Sequence, residues 1–214
     1  MAKKTPRRRR SGSSRPSLSE QRRRRAEREQ LSERRGNDAL VARARQIFAD
    51  RLGVQAEEIR DITPYGLCPY WAWAIITAAK EQGRRLVLQA GSAGWRFMPP
   101  HLDDGIGATH FSYEWQGSNP TNRIAMAAGL MPEMHVWAAD PAAQELIDLA
   151  TFDWPDQAER LLGAKWLDKR PPDYLWASPG QLPEQAYYRP DRDATMLAGR
   201  MLMQVGLSPE GGLR

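Results

Sequence analysis

Apolar residues recur three and four positions apart at Leu40, Val41, Ala44, Ile47, Phe48 and Leu52, which predicts an amphipathic helix capped by Asn37. A connector through Ile59 and Ile62 leads to a second helix. Pro69 suits its first position, where a missing N–H costs nothing, the run from Tyr70 to Ala79 is almost wholly apolar, and Gly83 supplies a stop. The pattern then changes period. Residues 85–90 read as a buried strand, Gly91, Ser92, Ala93 and Gly94 as a turn, 109–115 as an alternating strand and 116–123 as loop. Two alternating segments, 133–139 and 145–151, predict a hairpin. Beyond it, 155–164 can form a short helix, the Pro-rich stretch 171–183 reads as irregular, and 191–205 has the pattern of a closing helix. Helices first and an antiparallel sheet after them describe an α+β domain over residues 37–214.

The hairpin carries the most specific pattern. With a loop of residues 140–143, Ala139 faces Gln144 and His135 falls directly opposite Asp148, within hydrogen-bonding reach on one face. Met134, Val136, Ile147 and Leu149 share the other face, so one side is apolar and the other presents an imidazole and a carboxylate. A slip of one residue destroys this arrangement.

Residues 1–36 have a different character, rich in Arg, Ser, Pro and Glu with almost no large apolar side chains. Such a composition cannot offset the entropy of ordering, so a disordered tail is expected. Up to Arg35 there are 14 Lys+Arg against 4 Asp+Glu, a charge of +10; the remainder holds 17 against 22, or −5, and together they make the chain's +5. The basicity belongs to the tail. Arg7, Arg8, Arg9, Arg10, Arg22, Arg23, Arg24 and Arg25 can engage phosphates of a nucleic acid or another polyanion by counterion release, without reading sequence. A solvated extension that only aids solubility is the competing reading.

A single cysteine excludes an intrachain disulfide, and no charged-then-apolar leader is visible, so a reducing compartment, the cytoplasm, is expected. The apolar run 71–79 is too short for a membrane span, which needs about 20 residues. Metal binding is not expected: His101, Asp103, Asp104 and His110 match no familiar ligand spacing. No glycine-rich phosphate loop is present, and no cofactor is implied.

The lone cysteine, Cys68, sits at the predicted start of the second helix, where free N–H groups and the positive end of the dipole favour thiolate over thiol. A small core residue is the plainer reading of a cysteine. Joined to His135 and Asp148, however, it completes a set for acyl transfer: a sulfur nucleophile, an imidazole to move its proton and a carboxylate to orient the imidazole. His110, on the predicted strand 109–115, is a rival base.

Gly66-Leu67-Cys68-Pro69-Tyr70-Trp71, then Met134-His135-Val136-Trp137, then Ile147-Asp148-Leu149 resemble the transglutaminase-like branch of the papain-like cysteine enzymes. There a Cys opens a helix, and His and Asp follow on neighbouring strands. The resemblance implies a papain-like α+β core, with Cys68 as nucleophile, His135 as base and later acid, and Asp148 as orienting group. The Cys68 backbone N–H is a candidate oxyanion donor. Trp71, Trp95, His110 and Trp137 are candidate cleft residues, with Trp95 or Trp137 covering an acyl group.

The expectation is a cysteine-dependent acyl-transfer enzyme acting on a protein, peptide or small amide: protease, amidase, deamidase or transglutaminase, with water or an amine as acceptor. The alternative is a papain-like binding module without turnover, tethered to nucleic acid by its Arg-rich tail.

Overall fold

The computed structural model describes residues 36–56, 58–60, 66–103, 105, 107–128, 130 and 132–213. The chain divides into two compact units, Met1–Asp38 and Ala39–Arg214. In the first, residues 36–38 are helical, so Asn37, expected as a cap, is itself in helical conformation; the tail arginines lie outside the described residues. The six strands among the described residues all belong to the second unit.

Residues 39–52 form α1, whose Leu40, Val41, Ala44, Ile47 and Phe48 are buried as their spacing predicts. Helix α2 (Cys68–Glu81) ends at Gly83, which takes a φ of 73°. There the Arg84 and Gly83 amides donate back to the Ala79 and Lys80 carbonyls, and the left-handed residue that closes this motif favours glycine. Three further helices are α3 (Pro120–Ala127), α4 (Trp154–Leu162) and the closing α5 (Arg192–Gln204). None of the described helices is long and apolar enough to cross a membrane.

The antiparallel sheet is built on one long strand, β1 (Val87–Arg96), with β2 (His110–Tyr113), β3 (His135–Asp140), β4 (Glu145–Asp148), β5 (Leu175–Ala177) and β6 (Ala186–Pro190). Along one edge of β1, residues 87–91 pair with β3 and 93–96 with β2, while β6 takes residues 91–95 on the other edge. β4 and β5 extend the sheet outward from β3. Side chains alternate across it. Leu88, Ala90, Val136, Ala138 and Ile147 face a core shared with α1, α2 and α5. Ala93, Trp95, Phe111, Trp137, Leu175 and Ala177 face a second, aromatic core closed by Trp154 and Ala158 of α4.

Four further sequence expectations need correction. Residues 91–94 are not a turn but the middle of β1, and their glycines answer to strand packing. A Cβ on Gly91 would overlap the Arg189 carbonyl oxygen, and one on Gly94 would lie 2.5 Å from the Tyr187 ring. Small residues let β6 approach. The loop expected over 116–123 gives way at Pro120 to α3, whose first turn is capped by Asn119 Oδ1 accepting the Thr121 amide at 2.9 Å. The Pro-rich stretch 171–183 contains β5, and β6 comes after it with no alternation in its sequence to announce it.

The fourth correction is the hairpin register. Asp140 pairs with Glu145 and Ala138 with Ile147, so the loop is 141–144 and the pairing is displaced by two residues. Asp140 stays in the strand because its Oδ1 accepts the Ala142 and Ala143 amides and so closes the turn, while Gln144 adopts a left-handed φ of 55°. A displacement of two preserves the parity of the side chains. Met134, Val136, Ile147 and Leu149 therefore still share the apolar face.

Candidate active site

Cys68 is the first residue of α2 and His135 the first of β3; α2 packs along β3, and the two starts meet at one narrow cavity. Leu67 caps α2 without a side-chain hydrogen bond, Cys68 occupies the first turn and Pro69 is next. In that turn Pro69 has no N–H, and the Tyr70 and Trp71 amides both donate to the Leu67 carbonyl, at 3.0 and 3.1 Å. Cys68 is buried, 8% exposed.

Continuing the β3–β4 register places Trp137, rather than His135, opposite Asp148. His135 reaches the carboxylate diagonally, with Nε2 2.7 Å from Oδ2 and both residues 1% exposed. The Tyr188 hydroxyl from β6 also donates to Asp148 Oδ2, at 2.7 Å, and the Ala150 amide donates to Oδ1 at 2.8 Å. Three donors converge on one carboxylate, which assigns the proton of that contact to His135 Nε2. The other ring nitrogen, Nδ1, has no hydrogen-bond partner and is fully buried.

Aromatic rings fix the plane of the imidazole. Tyr113 stacks on it at 5.4 Å and 23°, and Trp154 meets it edge-on at 5.0 Å and 79°. Burial pushes the His135 pKa down, but the Asp148 carboxylate and then Cys68 more than offset this and raise it to about 10. Cys68 is near enough to act on the ring electrostatically.

The cavity they share holds about 20 Å³, room for roughly one water. Its wall contains a relay that sequence reading missed. Tyr113 donates to Gln157 Oε1 at 2.7 Å, and Gln157 Nε2 donates to Asp153 Oδ2 at 2.7 Å. Burial drives the Asp153 carboxyl above its ordinary value. Tyr113 lies on a strand legible from alternation, but Gln157, Asp153 and Tyr188 have no local signal, because they reach the site from elements distant in sequence from both Cys68 and Tyr113.

The other predicted residues are dispersed. Trp71 lines the cavity; Trp137 flanks the His135 ring at 6.1 Å and floors a separate cavity of about 360 Å³. Trp95 is wholly buried in the aromatic core, with Nε1 donating to the Lys169 carbonyl at 2.9 Å, and does not line the Cys68 cavity. His110 is exposed on β2 beside Thr109 Oγ1, away from that cavity, and burial followed by the Arg96 charge lowers its pKa. Among the described residues no three His, Cys, Asp or Glu side chains are grouped to hold a metal ion.

No family model, no curated protein and no solved structure matches this chain.

Proposed function

We propose that the chain is a cysteine-dependent acyl-transfer enzyme acting on an amide-type bond, with a papain-like core of the transglutaminase-like kind. The observation that carries this reading is the asymmetry of His135: Nε2 is tied to Asp148, while Nδ1 is unpartnered at the cavity that holds Cys68. In this mechanism His135, protonated at neutral pH, already carries on Nδ1 the proton taken from the thiol when sulfur attacks the carbonyl carbon, and it passes that proton to the leaving nitrogen as the C–N bond breaks. The thioester is then resolved by water or by an amine. The Cys68 amide, in the first turn of α2, serves as the oxyanion donor in this mechanism. A reduced cysteine nucleophile fits a cytoplasmic protein.

The test is alkylation by iodoacetamide. Cys68 of the folded protein reacts, and His135→Ala slows the reaction at neutral pH by on the order of tenfold or more. Reaction only after denaturation overturns the proposal.

One observation favours a second reading, a binding module without turnover held to a polyanion by the basic tail: the cavity of about 20 Å³ admits little more than a water. That reading predicts salt-sensitive nucleic-acid binding that disappears when residues 1–35 are removed, with no effect of Cys68→Ala.

A further inference from the structure

Beside the Cys68 cavity runs a wider groove of about 480 Å³, and the two share Ile59, Trp71 and Phe152 as a common wall. The groove's far side is α1, which contributes Arg45 and Gln46. Arg45 is half-buried, and among the described residues no hydrogen bond or ion pair engages it. Other arginines are differently placed. Arg43 pairs through two nitrogens with Glu81 at 2.7 and 2.9 Å, and Arg96 pairs with Asp168 at 2.8 Å. A guanidinium partly withdrawn from water with no counter-charge among the described residues can take a carboxylate, which its planar fork matches through two parallel hydrogen bonds. Gln46 supplies no such charge; its amide nitrogen is committed to Asp50 at 2.8 Å.

We infer that the groove binds a carboxylate of the acyl donor on Arg45, so that the substrate is an acidic peptide or amide whose stem lies along Ile59, Trp71 and Phe152. This rests on the acyl-transfer reading and specifies its substrate class. Apolar walls suit a short aliphatic stem, and the open guanidinium suits the charge at its end. The carboxylate can belong to a side chain or to a chain terminus, and the probes separate the two.

Three thiol-directed probes make the test: N-iodoacetyl-glutamic acid α-amide, N-iodoacetyl-glutamine α-amide, and N-iodoacetyl-glutamine with a free α-carboxylate. In each, the Cys68 sulfur displaces iodide, and the labelling rate is read by mass spectrometry. The expected result is that one carboxylated probe labels Cys68 on the order of tenfold faster than the neutral one, equivalent to about 1.4 kcal/mol. Arg45→Gln brings that ratio to unity, and Arg45→Lys restores part of it. Because the ratio is taken within one protein, altered folding of a variant does not produce it. Equal rates in the unmodified protein, or a preference that survives Arg45→Gln, overturn the assignment while a His135-dependent rate leaves the acyl-transfer reading standing. If no probe labels Cys68 in the folded protein, both fall together.

Discussion

His135 and Asp148 are bonded at 2.7 Å although strand pairing puts Trp137, not His135, across from the carboxylate. The diagonal contact spans a separation that an imidazole and a carboxylate bridge where shorter side chains would not. Tyr188 and the Ala150 amide hold the carboxylate in the orientation that makes it possible.

Both partners of this pair are buried, each 1% exposed. Removing one partner strands the other in an apolar setting, so His135→Ala and Asp148→Ala should each lower the unfolding free energy by about 3–5 kcal/mol. The double variant should lose less than the two losses combined, by about 1–3 kcal/mol. Chemical denaturation of the four proteins measures this; additive losses would show that the contact carries no coupling.

Stability should also depend on pH through His135. Its pKa is raised to about 10 in the folded protein against 6.5 for the unperturbed group. The folded state therefore binds the proton more tightly than the unfolded state, and the resulting stabilisation is complete below about pH 6.5 and lost as pH rises through about 10. Tm should fall across that window, and His135→Gln should flatten the fall. A slope unchanged in the variant would assign it to other groups.

Asp153 follows the same sign in a lower pH window. Its pKa is raised from 3.8 by burial, so its stabilisation belongs to the protonated form, present below about pH 4 and lost as pH rises through the folded value. Asp153→Asn keeps an oxygen to accept from Gln157 and removes the buried charge. The variant should melt above the parent at pH 7 and match it below pH 4. A variant less stable at pH 7 would mean that the charge is compensated.

Gly91 links the sheet to the site. The Cβ of Gly91→Ala meets the Arg189 backbone oxygen, which cannot swing aside as a side-chain tip can. The change should cost about 3 kcal/mol, at the upper end for overpacking. Displacing β6 also withdraws Tyr188 from Asp148, so iodoacetamide labelling of Cys68 should slow as well. Gly105→Ala, where a Cβ meets nothing within 4 Å though φ is 73°, is a control for backbone strain alone.

Much of the arrangement is legible along the chain. Cys68 at a helix start follows from Pro69, the apolar run and Gly83, and α2 begins at Cys68. His135 and Asp148 share a face because alternation counts only odd and even, so a register displaced by two leaves them as neighbours. Trp95 illustrates the limit. Its place just after the predicted strand 85–90 and its glycine-rich turn suggests a cleft wall, but the parity of β1 turns it into the aromatic core.

By itself, then, the sequence determined the helix that presents Cys68, the two faces of the hairpin and the closing helix, since periodicity, caps and stops act within a few residues. Tertiary structure alone decided that β6 lies against β1, bringing Tyr188 to Asp148, and that α4 and the residue capping it lay Gln157 and Asp153 on the cavity. These contacts join segments tens of residues apart. They form because close approach at Gly91 and Gly94 and burial of the aromatic core favour them, and neither leaves a periodic mark on the chain.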